Sequence, residues 1–430
     1  KLEDGSISGG PMYYIEQGLN MKWVGILFAA LMMICAIGSG NMPQINNIAN
    51  VLESTFSIPK LLTGLVLGLL LWIIIVGGIK RIAQIASKLV PIMGVIYFGG
   101  ALIILIENYE NIIPSFNAIF SQVFTGSAAV GGFLGASFAM SLKLGVARGL
   151  YSNEAGQGSS PIAHASAKTE KSVEQGMVSI LEPFIDTIVV CSVTALVILS
   201  SGAWTQKYEN SFDRTSMFIF DGSYSEENAN DVEELGKFIL DRRNFTNNTS
   251  SVKNYSGSLE VLEGKIQQDN ITIFHKQSIA EDVLFMKDGK LINGFIDISN
   301  GSIDDLGVKV SGKSLIHSAE LTAKAFSSGV LGVVGEYIVA IGLLLFAFST
   351  AIAWSYYGDR STAYIFGEKA VFWYRNFYVL CFVLAAVIDT TIVWNIAYVS
   401  VALVSIPNLI ALFFLRKEVK ELSDDYSLKD

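Results

Sequence analysis

The chain has few of the residues that build disulfide frameworks and metal centres. Its 430 residues include only three cysteines and three histidines. The cysteines all fall inside apolar stretches, at Cys35, Cys191 and Cys381. The histidines stand far apart in the sequence, at positions 164, 275 and 317. This scarcity argues against a disulfide framework and against a closed metal site.

Positive charge is also scarce, and nucleotide-binding signals are missing. The chain carries 30 Lys and Arg against 39 Asp and Glu, and its net charge of −9 comes without a basic patch. Nucleic acid is therefore not an expected partner. Gly156 and Gly158 lack a preceding strand and a third glycine at the required spacing, so no dinucleotide fingerprint and no Walker-type loop is predicted. We expect neither an enzyme nor a cofactor, because no nucleophile accompanies the acidic pairs.

Apolar residues are abundant instead. The chain is 51% hydrophobic and only 16% charged, which is typical of polytopic membrane proteins. Apolar windows long enough to cross a bilayer recur at 24–41, 61–79, 89–106, 177–200, 331–354, 371–388 and 392–415. A polar-interrupted window at 129–166 makes an eighth. We predict an all-α polytopic membrane protein with about eight transmembrane helices in a lipid bilayer.

Lysine and arginine in the short loops collect on one side of this arrangement. They are Lys80, Arg81, Lys88, Lys168, Lys171, Arg360, Lys369, Arg416, Lys417 and Lys420. By the positive-inside rule that side is cytoplasmic, so both ends of the chain are expected inside a bacterial-type plasma (inner) membrane.

A polar segment, 204–318, separates two transmembrane parts, 1–203 and 319–416, and a tail follows at 417–430. The segment is rich in Asn, Ser, Asp, Glu and Lys, and it contains short runs with a period of two residues. Those runs favour a β-rich module, while the Asn and Ser density leaves a loosely ordered loop as the alternative. Alternation of the spans places the segment outside the cytoplasm.

The stretch 148–167 is the least suited of all apolar regions to a continuous helix in lipid. Glycines and a proline weaken the helix, and polar side chains follow at Asn153, Glu154 and Gln157. Freed carbonyls together with Asn153 would suit a cation or an ammonium group, and freed amides would suit a carboxylate. We therefore expect a cavity that binds ligand, with close helix packing as the alternative.

Four ionisable residues lie in or near this stretch: Arg148, Glu154, Glu182 and Asp186. Glu182 and Asp186 are four residues apart and share one helical face. Charges at membrane depth are costly unless they are paired, solvated or functional. We predict a gate or an ion-pair network, with substrate contact as the alternative.

A second set of oxygen ligands occurs at Phe346, Ser349 and Thr350. Two hydroxyls and one carbonyl can converge on a hard cation such as sodium. The alternative is that both hydroxyls bond back to a carbonyl in the preceding turn. Trp354, one turn further, would wall a small pocket or pack as an ordinary aromatic, and Gln44 in the first span is a plausible pocket residue.

Several motifs together resemble the alanine or glycine:cation symporter family. They are Gly-Gly-Pro-Met-Tyr-Tyr-Ile-Glu (9–16), Gly-Asn-Met-Pro-Gln (40–44), Gly-Val-Ala-Arg-Gly-Leu-Tyr-Ser-Asn-Glu-Ala-Gly-Gln-Gly-Ser-Ser-Pro-Ile-Ala-His-Ala (145–165), Glu-Pro-Phe-Ile-Asp-Thr (182–187), Phe-Ser-Thr (348–350) and Trp-Ser-Tyr-Tyr-Gly (354–358). The resemblance covers the chain except for the polar segment.

The resemblance implies a LeuT-type bundle of two inverted repeats that imports alanine or glycine with sodium or, in some members, protons. It implies substrate contacts at Gln44, Gly149, Tyr151, Asn153 and Trp354. Sodium contacts are implied at Phe346, Ser349 and Thr350. A pocket walled by Tyr151 and Trp354 would exclude larger side chains.

The chain departs from the family pattern in two respects. The family's first two core helices, with a Gly-Thr-Gly-Asn break, precede the position of Lys1, so we expect a fragment that does not transport by itself. The segment 204–318 is longer than the family's usual connection. An amino-acid sensor with this segment as its partner-binding part stays open, and an intramembrane enzyme using Glu154, Arg148 and His164 is disfavoured.

Overall fold

The computed structural model describes residues 7–125, 129–130, 133–134, 138–169, 171–242 and 250–427. The chain divides into two compact units. The first consists of Lys1–Leu102, Val146–Ala195 and Val333–Asp430. The second consists of Ile103–Gly145 and Leu196–Gly332. The bounds of these units differ from those of the predicted domains, because the second unit includes 103–145, 196–203 and 319–332 in addition to the polar segment 204–318.

Helices make up the regular structure of the first unit throughout its described residues. They begin with α1 (Pro11–Gly18), α2 (Lys22–Gly38), α3 (Met42–Phe56), α4 (Lys60–Val76) and α5 (Gly78–Glu107), the last of which continues into the second unit. They continue with α7 (Phe138–Ser152), which begins in the second unit, α8 (Glu154–Gln157), α9 (Ser160–His164), α10 (Ser172–Ser179), α11 (Leu181–Pro183), a π-helical stretch (Phe184–Val190) and α12 (Cys191–Ser200), which ends in the second unit. The last three are α15 (Val333–Phe366), α16 (Glu368–Ala385) and α17 (Thr390–Ser427).

Five segments of the described residues are long and apolar enough to cross a membrane. They are Lys22–Phe56, Ser87–Glu107, Ser172–Ser200, Val333–Phe366 and Thr390–Tyr426. The predicted window 61–79 corresponds to a shorter apolar helix, Lys60–Val76. The window 371–388 corresponds to α16, which carries Glu368, Lys369 and Arg375. The eighth window, 129–166, is broken into short elements and lies partly outside the described residues.

The core of the first unit forms where α15 packs against α2, α3 and α16. Large side chains there are fully buried, among them Phe28, Met32, Tyr378 and Phe382. Arg360 also lies in this environment, 5% exposed within α15, with its guanidinium 5.2 Å from the centre of the Tyr356 ring. The prediction that Arg360 lies in a short loop is wrong, because α15 continues to Phe366, while the cytoplasmic side of this region stays a prediction.

The second unit contains helices and a β-rich part. Its helices include α6 (Ile112–Thr125), α13 (Ala229–Arg242) and α14 (Ser318–Ser327), and a short strand pair joins β1 (Ala129–Val130) to β2 (Phe133–Leu134). The other strands are β3 (Tyr208–Ser211), β4 (Met217–Asp221), β5 (Lys253–Asn254), β6 (Gly257–Leu262), β7 (Lys265–Ile266), β8 (Ile271–His275), β9 (Ser278–Ile279), β10 (Glu281–Lys287), β11 (Lys290–Leu291), β12 (Gly294–Ser299), β13 (Ser302–Ile303) and β14 (Val308–Ser314).

These strands form three antiparallel four-stranded sheets, which we call the β module. The strand orders are β11-β10-β14-β3, β13-β12-β6-β7 and β5-β4-β8-β9. Apolar side chains such as Ile219, Leu259, Val261 and Phe285 are fully buried between them. The polar segment therefore folds around an apolar core of its own.

Four hairpins of the β module share one turn geometry. Each turn has two central residues with positive φ, at Glu263-Gly264, Lys276-Gln277, Asp288-Gly289 and Asn300-Gly301. Two consecutive residues with positive φ define the tight turn whose twist matches that of paired strands. The turns recur every 12 or 13 residues, so the module is built from repeated hairpins.

Candidate functional site

The first helix break lies at residues 39–41, between α2 and α3. In a continuous helix the Ser39 carbonyl would accept from residue 43, but Pro43 has no N–H to donate. The Tyr151 hydroxyl donates to this carbonyl instead at 2.9 Å, and Gln44 Nε2 lies 3.4 Å away. Gln44 Nε2 is also 3.2 Å from the Tyr151 hydroxyl. Two of the predicted substrate residues thus meet at the break.

Trp354 packs directly against the backbone of the same break. A Cβ added to Gly40 would lie 2.2 Å from Trp354 Cγ, so only glycine allows this approach. Trp354 is 4% exposed. Gln44, Tyr151 and Trp354, all predicted to contact substrate, therefore border the first break.

The second helix break begins at Asn153, which separates α7 from α8. Asn153 caps α8, because its Oδ1 accepts from the Gly156 amide at 3.1 Å. The Gly149 carbonyl accepts from the Asn153 amide at 3.1 Å, and nothing lies within 4 Å of a Cβ added to Gly149. Gly158 ends α8 with φ of +85°. Asn153 thus shapes the break, whereas Gly149 accepts an ordinary helical hydrogen bond at the end of α7.

Two buried amide side chains satisfy the carbonyls that this break leaves free. Gln157 Nε2 donates to the Leu150 and Tyr151 carbonyls at 2.8 and 2.7 Å. Asn408 Nδ2, from α17, donates to the Ala155 and Gly156 carbonyls at 3.1 and 2.9 Å. The sequence analysis assigned no role to Asn408 and expected free carbonyls here. The available signal was a single asparagine, Asn408, directly after Pro407 in an apolar helix.

Each break also holds one buried amide oxygen without a hydrogen-bond donor in the described structure. These are Asn41 Oδ1 and Gln157 Oε1, and both side chains are fully buried. The Asn41 amino group donates to the Tyr378 carbonyl at 2.7 Å, so the oxygen is the free end. Buried amide oxygens are normally bonded, and they suit ammonium groups and sodium.

Glu154, the first residue of α8, links the second break to α15. Its Oε1 accepts from the Trp354 indole N–H at 3.1 Å. Its Oε2 lies 3.2 Å from both the Tyr357 and the Ser159 hydroxyls. The carboxylate is thus surrounded by neutral donors, and no ion pair to it occurs among the described residues. The predicted ion-pair role for Glu154 has no partner here.

Glu182 forms a separate polar cluster with the helix that follows the break. Its Oε2 accepts from the Ser160 hydroxyl at 2.6 Å and lies 3.2 Å from His164 Nε2. The other ring nitrogen of His164 is 2.6 Å from Gln175 Nε2. This chain of contacts connects α9, α10 and α11. Glu182 is the one predicted ion-pair residue that faces an ionisable base.

The other two predicted ion-pair residues make different contacts. Asp186 accepts from the Ser152 hydroxyl at the end of α7. The Arg148 guanidinium stacks over the Trp394 ring at 4.2 Å and lies 5.7 Å from the centre of the Tyr398 ring. The structure thus brings Arg148 to aromatic faces rather than to a carboxylate, an attraction known for arginine.

The predicted sodium ligands occupy one turn of α15. The Ser349 and Thr350 hydroxyls both donate to the Phe346 carbonyl at 2.9 Å. This is the back-bonded arrangement that the sequence analysis kept as the alternative. The three oxygens are nevertheless adjacent, and the hydroxyl lone pairs remain available to a cation. Sodium binding here stays a prediction.

The sequence does contain one Walker-type pattern, which the prediction overlooked, and the structure shows that it is not a phosphate-binding loop. Residues 307–314, Gly-Val-Lys-Val-Ser-Gly-Lys-Ser, match the letters of a Walker phosphate-binding loop. That loop must lie between a strand and a helix, but here Val308–Ser314 is strand β14 itself. Lys313 pairs with Asp282 at 2.6 Å. The pattern is therefore a strand of the β module. No cluster of three metal-ligating His, Cys, Asp or Glu residues occurs among the residues that could be described.

A model of the sodium:alanine symporter family matches residues 1–221 and 298–430 of the chain. The chain belongs to this family. Residues 222–297, which lie within the β module, fall outside the match. The protein is therefore a multi-pass membrane transporter and not an enzyme.

Similar proteins from other organisms support the assignment to this family. An uncharacterized transporter of Haemophilus influenzae is 32% identical over 425 residues, covering 99% of this chain and 70% of that protein. The sodium/alanine symporter AgcS of Methanococcus maripaludis is 31% identical over 417 residues, covering 96% and 68%. The putative sodium/proton-dependent alanine carrier YrbD of Bacillus subtilis is 42% identical over 211 residues, covering 49% and 43%.

Proposed function

We propose that this family member imports alanine or glycine together with sodium by alternating access. Tyr151 connects the two helix breaks. It lies near the end of α7, just before the second break, and its hydroxyl donates to the Ser39 carbonyl of the first break at 2.9 Å. This contact is the observation that carries the proposal. Broken helices supply the amides and carbonyls that bind zwitterions and coupling ions in secondary transporters.

The proposed substrate site lies beside the first break, with Gln44, Tyr151 and Trp354 around it. Asn153 contributes by shaping the second break, and Gly149 precedes it at the end of α7. The unpaired oxygens of Asn41 and Gln157 are the proposed acceptors for the substrate ammonium group, since an N–H donor there would complete a buried hydrogen bond. The close approach of Trp354 to Gly40 leaves little room for a large side chain.

The proposed sodium ligands are the Phe346 carbonyl and the hydroxyls of Ser349 and Thr350. Sodium would be held at α15 by hard oxygens without a full negative charge. We further propose a LeuT-type inverted-repeat bundle in the inner membrane, with the β module on the outer side. The positive-inside pattern of the short loops supports this orientation.

The decisive experiment measures uptake of labelled alanine and glycine by the full-length protein encoded by its gene, reconstituted in proteoliposomes. We expect uptake driven by an inward sodium gradient and no uptake when choline replaces sodium. Uptake that persists without sodium but follows a proton gradient would replace sodium with protons in the proposal. Failure to take up either amino acid would refute it.

The sodium ligands are tested by the double variant Ser349→Ala/Thr350→Val in the same assay. Both hydroxyls disappear while side-chain volume changes little. We expect the half-saturating sodium concentration to rise about tenfold or more, which corresponds to roughly 1.4 kcal/mol of lost ion binding. Glu53→Ala, which removes an exposed carboxylate paired with Lys60, serves as the matched control. An unchanged sodium dependence would contradict the assignment.

A second candidate function is an amino-acid sensor that binds without transporting. The β module favours it, because the module has its own core and includes residues 222–297, which lie outside the family match. Binding of alanine without sodium-driven uptake or exchange in the same vesicles would support the sensor.

A further inference from the structure

Glu154 accepts a hydrogen bond from the only donor of the Trp354 side chain, its indole N–H. Tryptophan has a single N–H, and here it points to Glu154 Oε1 at 3.1 Å. A carboxyl oxygen accepts this bond whether or not the group is ionised. This bond therefore fixes which edge of the indole ring faces the second break.

The other side of the indole is fixed by backbone. A Cβ on Gly40 would lie 2.2 Å from Trp354 Cγ and 2.4 Å from Cδ2, so the ring lies flush against the first break. Tyr357 meets the ring edge-on, with centroids 5.3 Å apart, and its hydroxyl is 3.2 Å from Glu154 Oε2. One carboxylate thus anchors two buried aromatic side chains of α15.

We propose that Glu154 is a positioning residue that sets the plane of Trp354 and thereby the selectivity of the site for small amino acids. The inference rests on the proposed function, because it takes Trp354 as a wall of the substrate site. Without the Glu154 acceptor, the indole N–H loses its hydrogen bond, and only packing against Gly40 and Tyr357 restrains the ring. The ring then turns or retreats, and the pocket admits larger side chains.

The negative charge is not the feature that matters in this proposal. Glutamine at position 154 keeps an oxygen for the indole N–H, and its amino group can donate to the hydroxyls of Tyr357 and Ser159, which also accept. Alanine removes every contact. The pair Glu154→Gln and Glu154→Ala therefore separates positioning from charge.

The first readout is structural and does not need transport. The Trp354 indole N–H resonance of the protein in detergent, labelled with ¹⁵N-tryptophan, is assigned by its disappearance in Trp354→Phe. We expect this resonance to shift and to exchange faster with water in Glu154→Ala, and to stay near its original position in Glu154→Gln. An unmoved resonance in Glu154→Ala would overturn the proposal.

The second readout is selectivity, given as the ratio of kcat/KM for alanine to that for methionine. We expect Glu154→Ala and Trp354→Phe each to lower this ratio about tenfold, a change of roughly 1.4 kcal/mol, and Glu154→Gln to change it less than about threefold. The double variant Glu154→Ala/Trp354→Phe should be no worse than either single variant, because both remove one contact.

The controls keep the test decisive. If Glu154→Ala fails to fold, Trp354→Phe still breaks the same bond from the other side, and full selectivity in that variant overturns the proposal. Multiplicative losses in the double variant, or a Glu154→Gln ratio as low as that of Glu154→Ala, also overturn it. Absence of uptake by the unaltered protein is a failure of the proposed function and is seen before any variant is compared.

Discussion

Protonation of His275 should destabilise the β module in mildly acidic solution. The imidazole is fully buried, its Nε2 accepts from the Asp213 amide at 3.2 Å, and its Nδ1 lies 2.8 Å from the Ser314 hydroxyl. Because an amide N–H can only donate, Nε2 carries no proton and Nδ1 carries one. A second proton would face the Asp213 amide hydrogen and destroy that bond.

The size of the effect follows from linkage. Burial, with smaller contributions from Lys276 and His317, lowers the pKa of His275 to about 2. In the unfolded chain a histidine has a pKa of about 6.5. The stability of the module is therefore complete above pH 6.5 and is lost as the pH falls, because only the unfolded state takes up the proton. The loss between pH 7 and pH 5 is about 2 kcal/mol.

Hydrogen exchange of the intact protein in detergent measures this loss locally. The relevant amides are those of the paired strands Met217–Asp221 and Ile271–His275, followed at pH 7, 6 and 5 and corrected for intrinsic exchange rates. Carboxyl groups of the unfolded chain titrate near pH 4, so this window largely excludes them, and a variant is needed to separate His275 from the other histidines. His275→Gln keeps a donor and an acceptor but does not titrate.

The expected result is an opening free energy that falls with pH in the unaltered protein and stays level in His275→Gln. Equal opening free energies at pH 7 and pH 5 in the unaltered protein would refute the argument. The same slope in both proteins would assign the pH dependence to another group.

Two predictions concern the helical unit. Asn408→Leu leaves the Gly156 carbonyl and the Tyr14 hydroxyl without their partner, so we expect the unfolding free energy in detergent to fall by roughly 2–5 kcal/mol. An unchanged unfolding curve would show that these hydrogen bonds do not stabilise the break. Asp359 is 1% exposed and accepts from Arg375 at 2.7 and 2.9 Å. Asp359→Asn should cost about 3–5 kcal/mol by leaving a charge unpaired, whereas the further change Arg375→Gln should restore part of it; equal stabilities of all three proteins would argue against a buried ion pair.

The positions of the helix breaks could be predicted because their causes are local. Pro43 removes a donor four residues after Ser39, and glycines with Asn153 interrupt the second helix. The same holds for the apolar windows, since length and composition alone define a membrane span. The number of spans was harder to predict, because α16 carries three charged residues and 129–166 is interrupted by polar ones.

The partners of the freed carbonyls could not be predicted, because they come from remote parts of the chain. Asn408 lies 253 residues from Ala155, and Tyr151 lies 112 residues from Ser39. Sequence spacing carries no information about such contacts. Arg148 is a similar case, since an arginine near carboxylates in the sequence was expected to pair with them, and the fold offered the ring of Trp394 instead.

The repeated hairpins of the β module were predictable but were missed. Asp288-Gly289 and Asn300-Gly301 stand 12 residues apart, and Asp or Asn before glycine is a strong signal for a two-residue turn. The prediction of a β-rich module rested only on the runs with a period of two residues. Turn spacing would have distinguished a folded module from a loose loop.

In this conformation, protein side chains occupy the polar groups that a ligand would use at the breaks. The Tyr151 hydroxyl donates to the Ser39 carbonyl, and Gln157 donates to the carbonyls of Leu150 and Tyr151. Asn408 donates to the carbonyl of Gly156. A substrate that binds to these carbonyls must displace a side chain, so its binding changes the helix contacts that hold the breaks together. A ligand shifts a conformational equilibrium only through such differential contacts. In the proposed function, breaks that are satisfied internally would couple binding to movement, and open carbonyls would not provide that coupling.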